Sequence, residues 1–202
     1  MNKILTPKRQ AILEAAKRTF ITHGYSGASM EAIADAAPVS KPTLYNHFHS
    51  KPDLFAAVIA SQCESLISTL NNLPVTSNNP ITGLTAIAHA FVELVYAKEA
   101  LQIYRLIIAE QQQFPELGEL VYRSGPEPVL RQMSAYLNQL SNQGTLAISD
   151  HETSSQLFLN MLKGDQHFRC LLGLQPGLDE DQRKHLIDSV VALFLKGHGY
   201  ES

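Results

Sequence analysis

Tryptophan is absent from this chain, and cysteine occurs only twice, at Cys63 and Cys170, far apart and without C-x-x-C spacing. Two distant thiols cannot build a disulfide framework or a zinc ribbon, so the expectation is a hydrophobic core in a reducing cytoplasm. No apolar run approaches the about 20 residues that cross a bilayer; the longest pieces lie at 106–109 and 190–195. The opening MNKILTPKRQ has no apolar stretch of the kind that directs secretion. Alternating β-branched runs are missing as well, while helix formers are plentiful, which points to an all-α fold. Catalytic signatures are also lacking: no G-x-S-x-G, P-loop, G-x-G-x-x-G, H-E-x-x-H or paired E-x-x-H occurs. No enzyme, catalytic residue or cofactor is therefore expected. His47 with His49, and His167 with Cys170, come without the further ligands a metal needs, so no metal site is expected.

The formal net charge of −3 would argue against nucleic acid, but the charge is unevenly placed. Through Phe55 seven Lys and Arg face four acids, a net of +3, and the remainder carries −6. A basic head on an acidic body can meet a phosphate backbone. With 202 residues there is enough chain to bury a real core in one or two domains.

Helical spacing organises the chain from its start. Pro7 opens a segment in which Ile12, Leu13, Ala16 and Phe20 recur on one face, with Gly24 as its stop. Ser29 caps a short helix with Met30, Ile33 and Ala34 inward, and the residue before Pro38 ends it. Ser40 caps a third helix that ends near Phe48, and Ser50 with Asp53 starts a fourth. A polar, proline-containing stretch at 71–80 reads as a loop. Beyond it, helices are predicted over 81–97, 98–113, a stretch interrupted at Gly125-Pro126 that resumes to 143, 152–172 and 179–196. The segment LQIYRLIIAE is apolar nearly all round and is expected to be central. The division expected is 1–50 as a DNA-binding domain, 51–70 as a connecting helix and 71–202 as a regulatory and dimerisation domain.

Three short helices with a tight second turn, followed by a longer one, fit a helix-turn-helix unit. Its third helix is SKPTLYNHFHSK, where only Leu44 and Phe48, four apart, can hold it to a core. The other side chains sort by chemistry. Lys41, Tyr45, His47 and Lys51 suit phosphate oxygens, Thr43 and Asn46 have the reach and polarity for base edges, and Pro42 suits a thymine methyl. Ser29, Ser40 and the free amides after Ser50 add helix N-termini that attract phosphate.

Over ILEAAKRTFITHGYSGASMEAIADAAPVSKPTLYNHFHSKPDLFAAVI the chain resembles the N-terminal domain of TetR-type transcriptional regulators. The landmarks are Phe20 to Gly24, Ser29-Met30, and the T-L-Y-x-H-F-x-S-K run from Thr43 to Lys51. Downstream, the F-P-E-L-G piece at Phe114 to Gly118 and Gly125-Pro126 are similar to the C-terminal domain of the AefR-like branch. In one place the chain departs from the pattern: Pro38 stands where the family usually has glycine. A proline there implies either a negative φ or a reshaped turn.

The resemblance implies a homodimeric, ligand-responsive repressor that reads a palindromic operator in double-stranded DNA. It also implies that the last two helices pair between subunits. Their apolar stripes supply the candidate interface: Leu157, Met161, Phe168 and Leu172 in one, Ile187, Val190, Val191 and Phe194 in the other. Phe91, Tyr104, Tyr122, Met133, Phe158, Met161 and Phe168 are candidate lining for a small apolar effector, although a plain core uses the same residue types. Arg105 joins them as a guanidinium expected to be buried, which would need Glu110, Glu93 or a ligand carboxylate as acceptor. The alternatives are a helical carrier or adaptor that no longer binds DNA, and an unrecognised all-α enzyme.

Overall fold

The computed structural model describes residues 6–72 and 79–200, which are helical and contain no strand. Helix α1 (Pro7–Gly27) starts at Thr6, whose hydroxyl accepts from the Arg9 amide at 3.3 Å. Gly24, at φ +75°, breaks its helical path, so the expected stop is real even though one more turn follows. Helices α2 (Met30–Ala36), α3 (Lys41–His47) and α4 (Lys51–Asn72) follow as the capping residues predict. Most of the expected loop at 71–80 lies outside the described residues. Helix α5 (Pro80–Tyr96) is capped by Asn79, whose side-chain oxygen accepts from the Ile81 and Thr82 amides.

Helix α6 (Lys98–Glu110) is shorter than the predicted 98–113 and is not apolar all round, since Arg105 is exposed and Ile108 is 63% exposed. Helices α7 (Glu116–Ser124) and α8 (Pro126–Asn142) flank Gly125. The single helix predicted over 152–172 is in fact two, α9 (His151–Met161) and α10 (Gly164–Leu171), because Gly164 takes φ +55° between them. Helix α11 (Glu180–Gly197) begins with a reciprocal capping box between Asp179 and Gln182.

The chain forms two compact units that do not follow its linear order. The first comprises Met1–Gln62 and Gln102–Gly125, the second Cys63–Leu101 and Pro126–Ser202. The expected boundaries at 50 and 70 have no counterpart of the first unit's second stretch. In the first unit Phe20, Tyr25 and Phe55 pack edge to face or stacked, with ring centroids 4.9–5.9 Å apart, and Leu106 and Leu117 close over the same core. Burying each such ring stabilises by about 1.5–3 kcal/mol. The second unit has its own core, in which Leu84, Ile87, Met133, Phe158 and Ile187 are fully buried.

Helix α4 contributes to both cores, Leu54, Phe55 and Val58 to the first and Cys63, Leu66 and Leu70 to the second. Its length and mean hydropathy of 1.2 would suffice for a short bilayer span, contrary to the sequence expectation, but its apolar face is occupied within the fold.

Candidate nucleic-acid interface

The turn between α2 and α3 sets the direction of α3. The Ala37 amide donates to the Ile33 carbonyl at 2.9 Å and the Val39 amide to the Ala34 carbonyl at 3.1 Å. Pro38 between them takes φ +20°, far from the about −65° its ring prefers. Of the two alternatives, a negative φ or a reshaped turn, the positive φ leaves the reshaped turn.

Ser40 then starts α3. Its hydroxyl accepts from the Thr43 amide at 3.3 Å and lies 2.8 Å from the Thr43 hydroxyl. Leu44 and Phe48 are fully buried, while Lys41, Pro42, Tyr45 and Asn46 are exposed and Thr43 and His47 half-buried. The two apolar anchors thus fix one face and leave a continuous face of donors outside. Lys41 pairs with Glu31 at 3.6 Å, but both ends are half-exposed to water and such pairs are worth little, so the ammonium can exchange partners. Ser29 is exposed and caps α2 by accepting from the Ala32 amide at 3.1 Å, which leaves its hydroxyl proton to donate outward.

Lys51 is placed otherwise than expected. Its ammonium donates to the carbonyls of Tyr25, Ser26 and Ala28 at 2.8, 3.4 and 3.1 Å and stands 4.6 Å from the centroid of the Tyr25 ring. A cation so engaged stitches the α1–α2 turn to the start of α4, a structural role that the sequence reading of Lys51 as a phosphate contact did not include. Burial, and then Glu116, raise the pKa of Tyr25 and keep that ring neutral beneath it. Of the amides expected to be free after Ser50, that of Asp53 is engaged. Ser50 accepts from the Asp53 amide at 3.2 Å, and the Asp53 carboxylate accepts from the His49 amide at 3.0 Å.

Arg9 was not singled out from the sequence. It lies over the Phe48 ring, 5.1 Å from its centroid, at the C-terminal end of α3. The only advance signal was its place in the first turn after Thr6 and Pro7.

The eight candidate lining residues are divided between the two units. Tyr104, Arg105 and Tyr122 belong to the first unit and Phe91, Met133, Phe158, Met161 and Phe168 to the second. Met133 and Phe158 are closed core, Phe168 is 59% exposed, and exposed Arg105 needs no buried acceptor. A cleft of about 660 Å³ in the second unit, between α5 and α11, is lined by Ile81, Thr85, Asp188, Val191, Leu195 and Lys196 among others, and by none of the eight.

The expected dimer stripes divide as well. Leu157, Phe168 and Leu172 are exposed and Met161 is half-buried, whereas Ile187, Val190, Val191 and Phe194 are closed inside the subunit. The α11 stripe faces its own chain, Phe194 meeting Phe158 edge to face at 4.9 Å, and is withdrawn from the interface.

Residues 82–199 match the family described as AefR-like transcriptional repressor, C-terminal domain, and residues 12–58 match bacterial regulatory proteins, tetR family. Among solved structures, the chain is similar to the flavonoid-responsive regulator FrrA, at 33% identity and TM-score 0.72 over 94% of this chain and 96% of that one. It is also similar to a TetR-family transcriptional regulator from Mesorhizobium loti, at 29% identity and TM-score 0.77 over 95% and 96%. The transcriptional activator FasR of Mycolicibacterium smegmatis is 38% identical over 100 residues, 50% of this chain and 45% of FasR. The transcriptional repressor AcnR of Corynebacterium diphtheriae is 39% identical over 57 residues, 28% of this chain and 30% of AcnR. These matches span less than half the length of either curated relative. With a donor-rich third helix held out on two buried anchors, and a helical body matching one regulator family over more than half its length, the chain belongs to the TetR family of transcriptional regulators.

Proposed function

We propose that the chain is a dimeric repressor that reads a palindromic operator through two copies of α3 and leaves it when a small, largely apolar effector binds. The observation that carries the DNA half is the exposed face of Lys41, Pro42, Tyr45 and Asn46 on a helix whose Leu44 and Phe48 are fully buried. Two such helices about 34–36 Å apart meet successive major grooves. Lys41 and Tyr45 take phosphates and Asn46 a base edge, while Ser29, Ser40, Pro42, Thr43 and His47 complete the contact surface. Repression is supported by the description of the C-terminal family, and FasR shows that a relative can activate instead. Dimerisation is supported by Leu157, Phe168, Leu172 and Leu193, all exposed on the second unit.

Band-shifts with the DNA upstream of the chain's own gene test the reading. Tyr45→Phe and Lys41→Ala weaken binding to every sequence alike, and Asn46→Ala relaxes preference at particular base pairs at a cost of about 1–3 kcal/mol. Unchanged operator affinity in all three variants removes α3 from recognition. The name of FrrA makes a flavonoid the first effector to add, with operator release as the expected result.

A further inference from the structure

Lys163 stands where α9 gives way to α10, half-buried, with its ammonium 5.8 Å from the centroid of the Phe91 ring on α5. None of the ion pairs among the described residues includes it, and the nearby Asp165 is held by Arg169 at 2.6 Å. Burial lowers the pKa of Lys163, and no acidic neighbour opposes the shift.

The surrounding groups offer no anion either. His167 is buried, edge-on to Tyr96 with ring centroids 5.3 Å apart, and its Nε2 donates to the Val95 carbonyl at 3.2 Å. Burial, and then Lys163, hold its pKa below the usual histidine value, so the ring is neutral near pH 7. The Tyr96 hydroxyl donates to the Lys163 carbonyl at 2.6 Å and fixes the backbone at this point. Three residues along, Gln166 Oε1 is buried with no donor. One turn of chain therefore carries a desolvated cation without an anion and a buried acceptor without a donor. The face of a phenyl ring offsets only part of the cost of desolvating an ammonium.

We propose that Lys163 anchors an effector site in the second unit, holding the carboxylate of a small acid whose apolar body lies against the Phe91 ring. Gln166 Oε1 offers an acceptor to a hydroxyl or N–H on the same molecule. The site gives the effector of the proposed repressor a chemical class, and it rests on that reading only for its regulatory meaning.

The test uses the full chain and matched probes: benzoate, cinnamate and the linear acids from butanoate to decanoate, each beside its own primary alcohol. Calorimetric titration is expected to find at least one acid that binds about tenfold or more tighter than its alcohol. That preference disappears in Lys163→Met and survives in Lys163→Arg. Without ligand, Lys163→Met melts no lower than wild type, because methionine keeps the packing against Phe91 and removes the desolvated charge. A lower melting temperature assigns Lys163 a structural role and overturns the site, as does the absence of any acid preferring wild type over Lys163→Met. Band-shifts separate the two readings. An acid that binds through Lys163 without releasing DNA leaves the site standing and removes acid-driven release. Operator release equal in wild type and Lys163→Met by a ligand of another class, with no acid bound, removes the site and leaves release standing.

Discussion

Glu110, at the end of α6, accepts a hydrogen bond from the backbone amide of Ser26 at 3.2 Å, across 84 residues of chain. The same carboxylate oxygen lies 2.6 Å from where a side chain on Gly24 would place its Cβ. Gly24→Ala therefore meets two penalties, about 1–3 kcal/mol for a non-glycine residue at φ +75° and ψ 171°, a region almost reserved to glycine, and the displacement of Glu110. Glu110→Ala loses a charge-assisted bond worth about 1.5–3 kcal/mol, and Glu110→Gln, a neutral acceptor, keeps about half of it. In the Glu110→Ala background Gly24→Ala costs less than in wild type. Urea melts of the two single variants and the double variant check this, and strictly additive costs would contradict the contact.

Lys51→Met removes three carbonyl bonds to one ammonium. It is expected to destabilise the chain by about 2 kcal/mol, and operator affinity falls as a consequence. Thermal melts beside binding assays decide the matter. A loss of binding with unchanged melting would return Lys51 to the phosphate contacts.

Pro38→Gly relieves strain at φ +20°. Strained backbone of this kind costs about 1–3 kcal/mol, while glycine adds unfolded-state freedom worth about 0.4–1 kcal/mol. The net expectation is a more stable protein, read as a higher urea midpoint at unchanged slope. A lower midpoint would show that the turn suits the proline.

Charge on the two apolar stripes has opposite signatures. Phe168→Asp with Leu172→Asp, both positions 59% exposed, leaves a folded monomer by sedimentation and circular dichroism. Val190→Asp with Phe194→Asp, at positions 6% and 3% exposed, unfolds or strongly destabilises the subunit itself. A native-like dimer carrying the first pair would place the interface elsewhere.

What could be read from sequence was local. The cap at Ser40, the proline in the first turn and the four-residue spacing of Leu44 and Phe48 lie within nine positions, so α3 and its outward face followed directly. Asn79, Asp150 and Asp179 cap their helices through equally local bonds, which the sequence reading did not single out. The stripe in α11 was equally visible, but periodicity tells that a face is covered and not which chain covers it. Lys51 looked like a surface cation because its carbonyl partners lie 23 to 26 residues back. Arg105 looked buried because its neighbours are apolar, yet α6 turns that edge to water. The break at Gly164 had a signal, a glycine inside a predicted helix, that the strength of the flanking stripe concealed.

The split make-up of the first unit sets an order of events during synthesis. Helix α3 has left the ribosome long before Gln102–Gly125 exists, a delay on the order of several seconds at ordinary elongation rates. Until then Tyr25 lacks Phe114, whose ring packs 5.2 Å away, and Ser26 lacks Glu110. The nascent helix-turn-helix is an unsealed core, open where Leu106, Phe114 and Leu117 later pack. A chain that stalls within α5 therefore carries α3 without the Gln102–Gly125 stretch that completes the core beneath it.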